Sequence, residues 1–205
     1  MIFTTAILTA TLWFNIVRAV KLPFIVQTPQ DYTVQDVKVP LTLGVMSQCP
    51  DALLCESVID RVLQRVWDKV DLSLSFIGRW VNKIHPYFDL LGLMILWSSL
   101  NASEPDFGVT CMHGRTECRG NVQELCAIKY TPASTWWRFV QCQNFQGRWK
   151  VGEPDVALKC ARSSGIDWEE SGVGECVGTD ASGTAEEGVA LLKKSVLQTQ
   201  KLGIQ

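Results

Sequence analysis

The chain has 205 residues, 19 of them basic and 21 acidic, for a formal net charge of −2. That length suits one domain with a proper core and room for an inserted subdomain, and the near-neutral balance gives no electrostatic footing for nucleic acid. Eight cysteines are an even number and high for an intracellular chain, which points to an oxidising compartment.

Ile2 to Val17 is uncharged and strongly apolar. It is short for a spanning helix and fits a signal h-region, with Val17-Arg18-Ala19 as its end. A membrane anchor is the alternative. Arg18 and Lys21 follow the segment, and positive charge tends to stay cytoplasmic. Anchoring in that orientation would put the cysteines in a reducing compartment, so a signal peptide over 1–19 is expected. Membrane association holds only if that segment is retained. Lys21 to Asp36 reads as an irregular lead-in to a domain over 37–205.

Val39 to Met46 is apolar and partly β-branched, a buried strand. Ser47-Gln48-Cys49-Pro50-Asp51 is a tight connection. Ala52, Leu53, Cys55, Val58, Ile59, Val62, Leu63 and Val66 then recur at helical spacing. Pro50 suits the first helical position, where its missing N–H has no intrahelical partner anyway. Cys49 is thereby placed at a helix N-terminus, where the helix dipole and free N–H groups favour an anion. A thiolate is the species that attacks disulfides. Cys49 equally suits one end of a structural disulfide. Cys55 lies six positions on, and in a regular helix the two Cα atoms would be about 9 Å apart, beyond the roughly 7 Å limit of a disulfide. Either the first turn is irregular or these two do not pair directly.

Lys69 to Gly78 alternates polar and apolar residues, a second strand. Strand, helix and strand in this span predict a βαβ unit with a parallel pair. Trp80 to Leu100 is atypical, mixing charge with Trp80, His85 and Pro86 before an almost wholly apolar run too short to span a bilayer. It reads as a packed helix, an interfacial segment or sequence foreign to the native fold, and His85 beside its proline reads as solvent-facing. Asn101-Ala102-Ser103 is a glycosylation sequon.

Six of the eight cysteines, Cys111, Cys118, Cys126, Cys142, Cys160 and Cys176, follow in a disulfide-rich helical subdomain over 101–178. Asn121 or Gly120 can start a helix running into Cys126. Cys111, His113, Cys118 and Cys126 raise zinc, but their spacings are not those of zinc knuckles, and disulfides are the default. Trp136, Trp137, Phe139, Cys142, Phe145 and Trp149 form an aromatic stripe, read as core around the disulfides, with a ligand groove as the lesser alternative. Helices are expected from Glu153 to Arg162, from Ile166 to Glu175 and from Ala185 to Gly203. The last carries Val189, Leu192, Val196 and Leu197 on one side. No internal repeat and no glycine-rich phosphate loop occurs, and no cofactor or metal is called for.

The run Cys111, Met112, His113-Gly114, Glu117-Cys118, Asn121, Cys126 resembles the signature of the gamma-interferon-inducible lysosomal thiol reductase family. That signature is Cys-Gln-His-Gly, two residues, Glu-Cys, two residues, Asn, four residues, Cys. Only Met112 departs from it, standing for Gln. The Cys49-Pro50-Asp51-Ala52 turn is similar to fungal-type members, which carry the longer cysteine spacing in place of the usual two-residue-spaced pair. The resemblance covers 37 to the chain end apart from 80–100.

It implies an α/β (α+β) fold, a thioredoxin-like βαβ core with a helical disulfide-bonded insertion. It also implies reduction of protein disulfides in the secretory pathway, lysosome or vacuole, or outside cells. Cys49 would be the attacking thiol and Cys55 the candidate resolving thiol. The six later cysteines would be structural, and His113, Gly114, Glu117 and Asn121 would belong to the signature. The partners implied are disulfide-containing proteins and a small-thiol reductant. The family's fold continues into a cis-proline loop, a β-hairpin and a helix, so the chain reads as C-terminally truncated. An inactive, disulfide-stapled secreted binding or structural protein is the competing expectation.

Overall fold

The computed structural model describes residues 37–80 and 107–204. The expected signal segment, the lead-in up to residue 36, the apolar insert from residue 81 with His85, and the sequon at Asn101 lie outside the described residues. In chain order the elements are β1 (Val39–Val45), α1 (Pro50–Val66), β2 (Val70–Phe76), β3 (Arg79–Trp80), β4 (Val109–Thr110), α2 (Arg115–Tyr130), α3 (Ala133–Phe145), α4 (Pro154–Ser164), α5 (Val173–Val177) and α6 (Glu186–Lys201). Single 3₁₀ turns occupy Trp67–Lys69 and Arg148–Lys150. The architecture is the mixed α/β (α+β) one expected from the sequence.

The core begins with a βαβ unit. β1 and β2 pair in parallel from Val39 opposite Val70 to Val45 opposite Phe76, and α1 is the crossover, as parallel strands require. Leu41, Leu43 and Val45 therefore share a face with Leu72, Leu74 and Phe76. These side chains join Ala52 and Leu63 of α1 in the core. Phe76 is fully buried, and burial of such a side chain is worth about 2 kcal/mol.

The outer side of β2 is closed by α6. The Phe76 N–H donates to Ser195 Oγ at 2.8 Å, and Thr199 Oγ1 donates to the Phe76 carbonyl at 2.9 Å. Ser75 and Thr199 hydroxyls meet at 2.6 Å. Two helix hydroxyls thus occupy backbone groups that a third strand would otherwise take. On the apolar side of α6, Leu192 and Val196 are fully buried, whereas Leu197 is 42% exposed. A second, two-residue antiparallel ladder pairs β3 with β4, and no strand follows α6 among the described residues.

α2 to α5 form the helical, disulfide-bonded part. Cys111 pairs with Cys118, Cys126 with Cys176 and Cys142 with Cys160. Cys111, Cys118 and Cys126 are therefore unavailable as zinc thiolates. Among the described residues, no group of three His, Cys, Asp or Glu is placed to hold a metal ion, and no helix is long and apolar enough to cross a membrane.

Several boundaries differ from the sequence reading. α2 starts at Arg115 rather than at Gly120 or Asn121, because Gly114 takes φ +95° at its N-cap and Glu117 reaches back to the His113 N–H. The segment 166–175 is not one helix. The Asp167 carboxylate accepts from the Glu169 and Glu170 N–H groups, an Asx-type turn, and only Val173–Val177 is helical. The aromatic stripe is core only in part. Trp136, Trp137 and Phe139 are buried, but Phe145 is 90% exposed and Trp149 65% exposed. Phe145 ends α3 on its outer face, and the Trp149 ring carries the Arg148 guanidinium 4.1 Å above it.

Candidate active site

Cys49 caps the N-terminus of α1 with extended backbone, φ −77° and ψ 126°, and Pro50 opens the helix. Its carbonyl accepts the first helical hydrogen bond from Leu53 N at 3.0 Å, and its own N–H donates to the Met46 carbonyl at 2.9 Å. Its side chain makes no capping hydrogen bond, so the sulfur does not tie up the first N–H groups of the helix. Cys49 is a free thiol and half-buried. Cys55 is also free but exposed, one and a half turns further along the same regular helix. The first turn is helical from Pro50, which leaves the second of the two geometric alternatives: in this conformation Cys49 and Cys55 do not pair directly.

The two residues before Cys49 are buried and polar. Ser47 and Gln48 are 3% and 2% exposed. Such a turn is stable only if its polar groups find partners, and the signature segment supplies most of them. Ser47 N–H donates to Asn121 Oδ1 at 3.0 Å, and Ser47 Oγ donates to the Glu117 carbonyl at 3.1 Å. Gln48 N–H donates to Glu117 Oε2 at 3.3 Å. Gln48 Nε2 donates to the Val151 carbonyl at 2.8 Å. Asn121 uses its other end too, Nδ2 donating to Cys111 Sγ at 3.6 Å. One amide side chain thus joins the cysteine turn to the Cys111–Cys118 disulfide.

Glu117 is the centre of this network. Its side chain is fully buried, and Oε2 also contacts His113 Nδ1, while His113 N–H donates to Oε1 at 3.2 Å. The His113 ring is 18% exposed. Gly120 permits α2 to lie this close, since a Cβ there would stand 2.6 Å from Ser47 Oγ and 3.0 Å from Val151 Cγ1. The structure therefore brings His113, Gly114, Glu117 and Asn121 together with the Cys49 turn. It keeps Cys126, Cys142, Cys160 and Cys176 in disulfides of the helical part.

Two further buried carboxyls, Glu56 on α1 and Glu124 on α2, are absent from the residues singled out in the sequence. Glu56 is pushed up to about 7 by burial, against a hydrogen bond from Asn144 that acts in the other direction. Glu124 is raised well above the ordinary carboxyl range by burial and then by the charges of Glu56 and Glu117. Helical spacing marks both as facing inward, seven residues after Cys49 and seven after Glu117. A charged residue on an inward-facing stripe was the available signal.

The arrangement can present one sulfur nucleophile at a helix N-terminus on a turn fixed from behind by buried hydrogen bonds. The comparisons with known proteins agree with that chemistry. The family model described as Gamma interferon inducible lysosomal thiol reductase (GILT) matches residues 40–164, more than half of the chain, spanning both the Cys49 turn and the signature. No curated protein matches the chain significantly. On the extent of the match, the chain belongs to the GILT family of thiol reductases.

Proposed function

We propose that the chain is a thiol–disulfide oxidoreductase that reduces protein disulfides through Cys49, with a small thiol as electron donor. The observation that carries this reading is the free, half-buried Cys49 at the uncapped N-terminus of α1, with its turn fastened by Glu117 and Asn121. The Cys49 thiolate attacks one sulfur of a substrate disulfide, and the S–S bond breaks. A mixed disulfide forms and the first substrate thiolate leaves with the bonding electrons. Cys55 is held away along the helix, so an external thiolate attacks the Cys49 sulfur and releases the second substrate sulfur as a thiolate, which takes the proton of the next external thiol. A second external thiol then restores Cys49, leaving an external disulfide. The balance is one substrate disulfide and two external thiols to two substrate thiols and one external disulfide.

Three disulfides support a site of action in the secretory pathway, outside the cell or in a lysosome or vacuole. The test is alkylation of the mildly reduced protein with mass-spectrometric mapping, followed by a disulfide-reduction assay. Cys49 should alkylate ahead of Cys55. Cys49→Ser should abolish reduction, and Cys55→Ser should leave it largely intact. A Cys49 that alkylates no faster than Cys55 rejects the reading.

A disulfide-stapled binding protein is the second reading. It is favoured by an open cleft of about 910 Å³ lined by Leu158, Arg162, Ile166, Trp168, Glu175 and Thr179, which contains no cysteine. Normal folding with an inert Cys49 would select it.

A further inference from the structure

The exchange described above makes no use of His113, yet the fold holds that ring beside the nucleophile's turn. One oxygen of Glu117, Oε2, contacts both His113 Nδ1 and the Gln48 amide, and Gln48 immediately precedes Cys49. Glu117 is fully buried and also holds the His113 N–H through its other oxygen. The imidazole is thus fixed at its backbone and at Nδ1. That leaves Nε2 as the nitrogen able to exchange a proton, on a ring that is still partly open to solvent. A carboxylate whose one oxygen orients a histidine and also holds the amide next to a sulfur nucleophile is an arrangement that general acid–base chemistry can use.

We propose that His113, oriented by Glu117, is the general acid and base of thiol exchange at Cys49. This rests on Cys49 being the nucleophile. When Cys49 sulfur bonds to one sulfur of the substrate, the S–S bond breaks and its electron pair goes to the departing sulfur. The protonated His113 ring gives its Nε2 proton to that sulfur, which leaves as a thiol, and the imidazole becomes neutral. In the second half of the cycle, neutral His113 takes the proton of the incoming external thiol, whose thiolate then attacks the mixed disulfide. The ring is thereby protonated again; the second substrate sulfur leaves as a thiolate and takes the proton given up by the second external thiol, whose thiolate then displaces the first external sulfur from Cys49 and restores the Cys49 thiolate. The structural alternative is that the His113–Glu117 pair only caps α2.

The two roles differ in their dependence on the leaving group. An alkyl thiolate, of a thiol titrating near about 8.5, gains from protonation as it departs. An aromatic thiolate of low pKa leaves readily without it. Single-turnover reaction of the full, mildly reduced chain would therefore be followed with glutathione disulfide and with dithiobis(nitrobenzoate). His113→Gln keeps a hydrogen-bond donor for Glu117 but carries no exchangeable acid. It should slow the glutathione disulfide reaction by roughly 10²-fold and leave the aromatic reaction within about twofold. Glu117→Gln, which holds the ring less firmly, should shift the same ratio in the same direction. Equal losses with both disulfides, including those of a variant that fails to fold, or no loss with either, make His113 a helix cap and overturn the proposal. Failure of the underlying reading is separately visible, as a wild-type chain whose Cys49 reacts with neither probe.

Discussion

Asn121 occupies the middle of a helix, where its type is not favoured, because both ends of its amide are used elsewhere. Oδ1 takes the Ser47 N–H and Nδ2 reaches Cys111 Sγ. Asn121→Ala strands a buried backbone donor, and the expected cost is about 1–3 kcal/mol, read as a lower denaturant midpoint. Because that donor precedes Cys49 by two residues, alkylation of Cys49 should slow in the same variant while Cys55 is unaffected. Gly120→Ala should cost about 1–3 kcal/mol by overpacking, since the new methyl group meets Ser47 and Val151. Unfolding curves that superimpose on wild type would refute either expectation. The motif made Asn121 legible as one of a set with His113, Gly114 and Glu117, but not its task, and left Gly120 at an unspecified position. Periodicity places Asn121 on a helix and says nothing of a turn seventy-four residues earlier in the chain. The same limit made Gly120 and Asn121 look like a helix start, when they are the point of closest approach between α2 and the Cys49 turn.

Among elements, the βαβ unit was the most legible, because an apolar strand, a proline at the first helical position and an alternating strand each carry a local signal. α1 and both strands lie within a residue or two of their expected bounds. The short elements were not legible, because hydrogen bonds of single side chains set them. Asp167 turns what the pattern offered as a helix, and Gly114 with Glu117 moves the start of α2 upstream. α6 was expected from its apolar side, but Ser195 and Thr199, which hold the outer edge of β2, give no periodic signal. The three disulfides bind these helices unequally. Cys126–Cys176 closes a separation of 50 residues and Cys111–Cys118 one of 7. Loop-closure entropy assigns them about 4 and about 2 kcal/mol. Replacing Cys126 and Cys176 by Ala should therefore lower stability about twice as much as replacing Cys111 and Cys118, in matched denaturant titrations. A reversed order would show that local strain, not loop entropy, governs them.

For the whole molecule, Glu56 and Glu124 carry the raised carboxyls among the described residues, and they predict a dependence of stability on pH. Both carboxyls bind protons more tightly folded than unfolded, so their favourable contribution is complete below their unfolded values near 4.5. It is lost as the pH rises through about 7 for Glu56, and Glu124 acts in the same direction. For Glu56 the amount is on the order of 3 kcal/mol. The lowered carboxyls, Asp68, Asp180 and Glu187, are at the surface, where ion pairs contribute little. The expected result is a higher unfolding midpoint at pH 5 than at pH 7.5, with Glu124→Gln flattening the difference by stabilising the neutral side. A midpoint that rises from pH 5 to 7.5 would contradict this.

The hydrogen bonds behind Cys49 have a consequence for the order of events as the chain is made. Cys49 and its helix emerge early, but the partners of Ser47 and Gln48 lie at Glu117, Asn121 and Val151, between 69 and 103 residues downstream. Contacts that distant form late, because loop closure precedes their reward. The Cys49 turn is therefore expected to stay unassembled until the signature segment has been synthesised and folded. Asn121, which holds the Ser47 N–H, also reaches Cys111 Sγ at 3.6 Å, so the turn and the Cys111–Cys118 bridge meet on one side chain. A chain that has not yet reached Val151 thus lacks a partner for the Gln48 side chain, and the Cys49 turn is incomplete until then.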